Sequence, residues 1–158
     1  MKPTLQTRYL FSLKIDIGKI IVAGDLGHGT RRVIPILGGT VDGVGINGDA
    51  INGTIFPFGA DFQIVRPNGF IELEAKYAFE LDDGAVIYID NIGIRFAAPD
   101  VLARLNAGEA VDPNEVYFRS VPKFETGDPR YRWLMENLFI GVGARHPAHV
   151  EIDVHQVL

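Results

Sequence analysis

The feature that most constrains the fold is a regular alternation of apolar and polar side chains that begins near residue 70. Within residues 70–81, every second position is apolar: Ile71, Leu73, Ala75, Tyr77, Phe79 and Leu81. Residues 85–96 are rich in Ile, Val and Tyr, and they follow an Asp83-Gly84 pair of the kind favoured in two-residue hairpin turns. A period of two over this length is typical of a half-buried strand. Together with residues 60–66 and the turn at residues 67–69, the pattern predicts a meander of three antiparallel strands.

Short strand-like segments occupy most of the remaining chain. They lie at residues 5–15, 19–23, 31–37, 115–121, 139–143 and 150–157, with further short apolar pieces between the glycines of residues 38–59. Two short helices are predicted, one at residues 99–107 and one after Asp128-Pro129. Because open sheet edges invite aggregation, an antiparallel sheet of this size must close or stack. We therefore predict an all-β fold, a closed antiparallel up-and-down β-barrel of about 8–10 strands with two short helices, lipocalin-like in shape, with residues 1–158 as a single domain.

Composition narrows the classes of function. The 158 residues are 47% hydrophobic with a mean hydropathy of +0.12, which provides a core and argues against intrinsic disorder. The absence of cysteine excludes a disulfide scaffold, thiol catalysis and cysteine-based zinc sites. The formal net charge of −5 argues against nucleic-acid and anionic-membrane partners. With no signal-peptide pattern and no long apolar run, we expect a soluble cytoplasmic protein.

Two motifs that suggest a cofactor or a metal lack the context that their chemistry requires. Residues 43–48 spell G-x-G-x-x-G, but a strand-like segment follows in place of the helix whose N-terminus binds pyrophosphate. His146 and His149 could approach one ion with help from Glu151 or Asp153, yet the histidines bracket a proline turn with no helix to hold both rings on one face. We therefore expect no cofactor and no metal ion.

A closed barrel turns one face of each strand inward, so polar residues on that face can form a site. Asp61 shares a strand face with Gln63, and Glu74 and Tyr88 lie on the following two strands. Asp61 and Arg119 are charges set among apolar and aromatic residues, and such a pair serves either as a structural contact or as a functional one. Glu74 is explained at least as well by the solvent-facing side of its strand. Six aromatic residues could wall an apolar ligand pocket or simply fill the core: Tyr77, Tyr88, Tyr117, Phe118, Phe124 and Trp133.

Several motifs in a fixed order resemble the family known as domain of unknown function 3237, or uncharacterised protein family 0311. They are Gly38-Gly39-Thr40, Gly59-Ala60-Asp61-Phe62-Gln63, Asp82-Asp83-Gly84-Ala85, Asn91-Ile92-Gly93, Val111-Asp112-Pro113, residues 117–126 and Tyr131-Arg132-Trp133-Leu134. The resemblance runs over nearly the whole chain and implies a small antiparallel β-barrel without an established general activity. Fungal relatives look like cyclases that add a phenolic or alcoholic oxygen across an alkene. The resemblance also implies that Asp61 and Arg119 lie in the most distinctive segments of the family, with Tyr88, Asn91 and Trp133 as neighbours.

The sequence thus predicts a cofactor-independent acid–base enzyme of the cyclase, isomerase or lyase type, acting on a small, partly aromatic or polyketide-like molecule. In this hypothesis Asp61 is the general acid or base, Arg119 stabilises developing negative charge and Tyr88 relays a proton. The substrate-binding residues are predicted as Gln63, Glu74, Tyr77, Asn91, Tyr117 and Trp133. Two alternatives remain open: a barrel that binds a small ligand without catalysis, and a structural homo-oligomer. A homo-oligomer is also expected as the quaternary state.

Overall fold

The computed structural model describes all residues from 1 to 158 and is built almost entirely from antiparallel strands. The ten strands are β1 (Thr7–Ile17), β2 (Ile21–Asp25), β3 (Thr30–Gly43), β4 (Gly53–Ile55), β5 (Gly59–Val65), β6 (Ile71–Leu81), β7 (Val86–Ala97), β8 (Val116–Glu125), β9 (Phe139–Arg145) and β10 (His149–Val157). Two short helices, α1 (Pro99–Asn106) and α2 (Trp133–Glu136), lie between β7 and β8 and between β8 and β9. Neither α1, with eight residues, nor α2, with four, reaches the length of a membrane-spanning helix.

The ten strands close into a barrel with eight strand positions. From β6 to β10 each strand pairs with its sequence neighbour, and β1 pairs with β10 on one side and with β3 on the other, which completes the ring. Two of the eight positions are each occupied by two strands in succession. β4 and β5 share the position between β3 and β6, and β1 and β2 share the position beside β3, with β2 pairing beyond the point where β1 ends. The predicted closed antiparallel up-and-down barrel with two short helices is therefore confirmed.

The glycines of β3 bend the strand without ending it. The sequence predicted a strand end at residue 37, but β3 continues to Gly43. Gly39 and Gly43 have φ values of 140° and 150°, and a side chain at either position would overlap the backbone of β1. Glycine is therefore required for the close approach of β1 and β3.

One half of the barrel interior is packed solid. Phe124 lies at the centre of an aromatic cluster, with ring centroids 5.9 Å from Phe11, 6.4 Å from Phe79 and 5.3 Å from Phe139. The core continues with Leu10, Leu13, Ile87, Ile89 and Val154, all at most 1% exposed. Helix α2 follows β8 at this end and buries Leu134 in the same cluster. We call this half the closed end, and the opposite half, where β1, β5, β7 and β9 end, the mouth.

Candidate functional site

The mouth half of the barrel contains a cavity of about 50 Å³ with polar groups in an apolar wall. The apolar part of the wall comes mainly from isoleucines of β1, β3 and β10, together with Leu73 and Phe118. The polar part consists of Asp61, Gln63, Tyr77, Asn91, Arg95, Ser120 and Arg145, contributed by five strands. A few convergent polar groups in an apolar cavity are typical of a small-molecule site.

Asp61 is the only carboxylate in the wall of this cavity. Its Oδ2 accepts a hydrogen bond from Gln63 Nε2 (2.7 Å), and its Oδ1 accepts one from the backbone N–H of Glu74 (3.2 Å). Gln63 Oε1 in turn accepts two hydrogen bonds from Arg32, from Nε at 2.9 Å and from Nη2 at 2.7 Å. Burial raises the pKa of Asp61, and the hydrogen bonds and the charges of Arg95 and Arg32 only partly offset that effect. Asp61 therefore holds a proton to higher pH than an exposed aspartate does.

Arg95 is a buried cation without a carboxylate partner. Its side chain is 8% exposed, forms no ion pair within 4 Å, and lies with its guanidinium carbon 5.8 Å from the centroid of the Phe118 ring. Burial and, to a smaller extent, the charges of Arg32 and Arg145 together lower the pKa of Arg95 to about 10, although the charge of Asp61 opposes the shift. The group still carries a positive charge at neutral pH.

Five polar atoms in the cavity wall have no hydrogen-bond partner within the protein. They are Tyr77 Oη, Asn91 Oδ1, Arg95 Nε, Ser120 Oγ and Arg145 Nη1. Only two further buried side-chain atoms in the chain share this condition, Asp90 Oδ1 and His146 Nε2. A buried polar atom without a partner costs about 1–3 kcal/mol, so native proteins rarely retain a group of them. Five of the seven such atoms in the chain are therefore concentrated around one cavity.

A wider cleft of about 360 Å³ adjoins the cavity at the mouth. The two share Ile34, Arg95 and Arg145, and Arg32 also lines the cleft. The other wall is formed by the end of α1 and the residues after it, including Leu105 and Glu109, and by the turn between β9 and β10. The shared residues place the cleft directly beside the cavity.

The structure brings four of the predicted site residues together. Asp61, Gln63, Tyr77 and Asn91 all line the cavity, from β5, β6 and β7. Burial raises the pKa of the Tyr77 hydroxyl, and the nearby charge of Asp61 raises it further. Tyr77 is therefore a neutral hydrogen-bond donor at physiological pH.

The predicted position of Arg119 inside the barrel is wrong. On β8 the inward positions are Phe118 and Ser120, and Arg119 between them points outward. Its Nη1 donates to the carbonyl oxygen of Phe118 (2.9 Å), and its guanidinium carbon lies 5.3 Å from the ring centroid of Tyr117, which is itself 47% exposed. Arg119 and Tyr117 therefore form part of the outer surface, because each strand alternates its side chains between the two faces.

Tyr88, Glu74 and Trp133 also lie outside the cavity. Tyr88 lies between Ile87 and Ile89, which are fully buried on the inward face, so its own side chain points outward. The Glu74 carboxylate points outward to Lys76, with Oε1 3.4 Å from Nζ, and only its backbone N–H contacts the site. Trp133 packs at the closed end, with its ring centroid 6.1 Å from that of Phe139.

Sequence reasoning missed Arg32, Arg95, Ser120 and Arg145. One signal was available for Arg95, because it lies four residues after Asn91 on the same strand and therefore on the same face. The apolar residues Ile92, Ile94 and Phe96 mask this signal, since they alternate with Arg95 and resemble a core face although all three are at least 36% exposed. No pattern in the sequence around Arg32 or Arg145 indicates that these residues line the same cleft as Arg95.

His146, His149 and Glu151 are the residues that could hold a metal ion, since their ligand atoms lie within 4.8 Å of one another. His149 Nε2 lies 3.1 Å from Glu151 Oε1. The two imidazole rings, however, are stacked with centroids 4.5 Å apart and planes inclined by 19°. An ion at about 2.0–2.1 Å from both nitrogens would have to lie close to both ring planes. The stacked arrangement therefore does not fit a tetrahedral ion unless one ring turns.

Comparison with known proteins gives a family match over nearly the whole chain. Residues 3–157 match the family described as "Protein of unknown function (DUF3237)". The chain is 58% identical over 158 residues, the full length of both chains, to the UPF0311 protein RPA1785 of Rhodopseudomonas palustris. The crystal structure of that protein, described as a conserved protein of unknown function, superimposes with a TM-score of 0.91 over 100% of both chains.

Two more distant structures share the barrel. A "beta-barrel like protein" from Acinetobacter baumannii is 33% identical and has a TM-score of 0.84, with 100% of this chain and 99% of that chain covered. A protein from Penicillium herquei, described as an enzyme, is 18% identical and has a TM-score of 0.70, with coverage of 100% and 98%. At 18% identity the second comparison establishes a common fold alone.

Proposed function

The chain belongs to the DUF3237 family of proteins of unknown function, and from the chemistry of its cavity we propose that it is a cofactor-independent acid–base enzyme acting on a small organic molecule inside the barrel. The observation that carries this proposal is the set of five unpartnered polar atoms that surround the same cavity as Asp61. Buried groups of this kind are retained where they contribute to binding or catalysis.

Asp61 is the general acid or base in this proposal. Its carboxylate removes a proton from the substrate and returns it to a different atom of the same molecule, so an isomerisation or cyclisation balances without an oxidant, a reductant or a cofactor. Catalysis of this type is most efficient when the pKa of the group lies close to the working pH. The raised pKa of Asp61 moves the carboxyl group in that direction.

Arg95 and Tyr77 take over the roles that the sequence assigned to Arg119 and Tyr88. Arg95 stabilises negative charge that develops on the substrate, because its free Nε lies in the cavity wall and its charge is shielded from water. Tyr77 donates a hydrogen bond from its free hydroxyl to a substrate oxygen. An enzyme from Penicillium herquei has the same fold, which supports the compatibility of this barrel with catalysis.

The alternative of a binding barrel without catalysis rests on the same unpartnered atoms. It differs in one respect, since binding needs the hydrogen-bond donors and the apolar wall but does not need Asp61 to change its protonation state. A substitution of Asp61 therefore distinguishes the two functions, because it should abolish catalysis but not binding.

The test uses the purified chain and a library of phenolic and polyketide-like compounds. We expect individual compounds to raise the melting temperature and to be converted to an isomer of the same mass, detected by chromatography. D61N should keep the thermal shift and lower turnover by at least about 10²-fold, the usual contribution of a positioned acid or base. D90N, a carboxylate change on the outer face of β7, should leave both unchanged.

Two results would contradict the proposal. If D61N converts a compound as fast as the unmodified protein, Asp61 is not the acid or base. If compounds raise the melting temperature but none is converted, the protein is a binding barrel.

A further inference from the structure

Three arginines from distant parts of the sequence meet at the mouth of the barrel. Arg32 lies on β3, Arg95 on β7 and Arg145 at the end of β9, and all three line the cleft. None of them forms an ion pair within 4 Å, although nine other ion pairs are present in the chain. The acidic groups that face them are Asp61 from the cavity and Glu109 from the cleft wall.

The grouping of these arginines is unfavourable in the protein alone. Burial lowers the pKa values of all three, and repulsion from Arg32 lowers those of Arg95 and Arg145 further. Like charges brought together out of water destabilise a fold unless an opposite charge compensates them. Asp61 is the only carboxylate of the cavity wall, and burial raises its pKa, which disfavours the charged form that would compensate the arginines. The cluster therefore favours a bound anion.

The free donors of the cluster match a carboxylate. Arg95 Nε and Arg145 Nη1 are buried N–H groups without acceptors, and both residues lie where the cleft meets the cavity. Guanidinium N–H groups bind the two oxygens of a carboxylate with favourable geometry. Beyond them the cavity wall is apolar, with Ile34, Ile36 and Ile152. A ligand that satisfies both parts has an anionic group and a small apolar body.

We propose that the substrate is a small organic carboxylate, held by Arg95 and Arg145 at the junction of cleft and cavity, with its apolar part in the cavity beside Asp61. Arg32 adds positive charge to the same junction, while its Nε and Nη2 continue to donate hydrogen bonds to Gln63 Oε1. This inference deepens the proposed function by naming the class of substrate, and it rests on the proposal that the cavity binds a small molecule.

Benzoate is a suitable probe, because it joins a carboxylate to a small apolar ring, and benzamide is its neutral analogue of the same shape. The full chain is titrated with each by calorimetry at low ionic strength, and inorganic phosphate is tested as an anion without an apolar body. We expect benzoate to bind, and both benzamide and phosphate to bind at least about tenfold more weakly. If either analogue binds as tightly as benzoate, the inference is wrong, and equal binding of phosphate indicates a general anion site.

Two variants locate the site. R145Q should weaken benzoate binding at least about tenfold, since it removes one charge and one free donor. R119Q, an arginine change on the outer face of the barrel, is the matched control and should bind benzoate like the unmodified protein. R145K retains the charge and should weaken binding to an intermediate degree, which keeps the test informative if R145Q does not fold. Unchanged binding by R145Q, or an equal loss in R119Q, would overturn the inference.

The readout separates this inference from the proposed function, because binding is measured without turnover. If benzoate binds and no library compound is ever converted, the carboxylate site stands and catalysis at Asp61 fails. If neutral phenols are bound and converted while benzoate does not bind, catalysis stands and the carboxylate site fails.

Discussion

Asp61 shows how a single residue acquires its chemistry from its surroundings. The strand β5 places it on the inward face, where Gln63 Nε2 and the Glu74 N–H stabilise its charged form. Burial opposes them and dominates, so the pKa of Asp61 is raised. A carboxyl group that is exposed in the unfolded chain and buried in the fold binds its proton more tightly after folding.

This difference predicts a pH dependence of stability that D61N removes. Below the ordinary value of 3.8 the carboxyl group is neutral in both states, and its stabilising contribution is fully present. As the pH rises through the raised pKa, the unfolded chain ionises first and that contribution is lost. The free energy of unfolding of D61N, relative to the unmodified protein, should therefore increase from about pH 3.5 to about pH 7.5. Urea unfolding across this range measures it, and a constant or decreasing difference would show that the pKa is not raised.

At the scale of single elements, β9 shapes the cavity because two of its inward positions carry no side chain. Its inward positions between Phe139 and Arg145 are Gly141 and Gly143. A side chain at Gly143 would overlap the ring of Phe118, and one at Gly141 would overlap the hydroxyl of Ser120. The two glycines thus give the neighbouring strand β8 the space to place Phe118 and Ser120 in the cavity wall.

G143A should therefore destabilise the barrel by about 1–3 kcal/mol, the usual cost of adding a group to a well-packed interior. G127A is the control, because Gly127 has no atom of another segment within 4 Å of an added Cβ, and its effect should stay within about 0.5 kcal/mol. Denaturant unfolding compares the two. Equal stabilities of G143A and the unmodified protein would mean that the Phe118 ring moves aside without cost.

At the scale of the whole molecule, the barrel exposes apolar residues on the outer faces of β7 and β8. Ile92 pairs with Val121 and Phe96 with Tyr117 across the two strands, and all four side chains are at least 43% exposed. The rings of Phe96 and Tyr117 are stacked with centroids 5.1 Å apart. Arg119 lies within this face, and Glu72 and Glu74 lie beside it on β6, so the surface carries charges of both signs. Such a surface can pair with itself in a two-fold contact.

The homo-oligomer remains a prediction, and this face is where we expect its interface. Sedimentation velocity should show a dimer or larger species for the unmodified chain and a monomer for I92E/V121E, because charges on an apolar interface are not compensated. V22E changes a valine on β2 that is 63% exposed, against 47% for Val121, and should leave the oligomer intact. A monomeric unmodified chain, or an oligomer that persists in I92E/V121E, would contradict the expectation.

The sequence by itself predicted most of the strands, the hairpins and the closure, because alternation and turn residues act over a few neighbouring positions, but it ended β3 at residue 37 instead of Gly43. It also placed Asp61, Gln63, Tyr77 and Asn91 in one site. It misplaced Arg119 because the neighbours of Arg119 on the outer face, Tyr117 and Val121, are themselves apolar or aromatic, and alternation does not tell which face of such a segment points inward.

Only the tertiary structure decided which charges meet. Register shifts in β1 and β3, between Tyr9 and Phe11 and between Asp16 and Ile17, set how the strands align around the ring. Arg32, Arg95 and Arg145 are each separated by at least 50 residues, and they converge because a closed barrel turns one face of every strand toward a common axis. No local pattern contains that information, since it depends on the ring being complete.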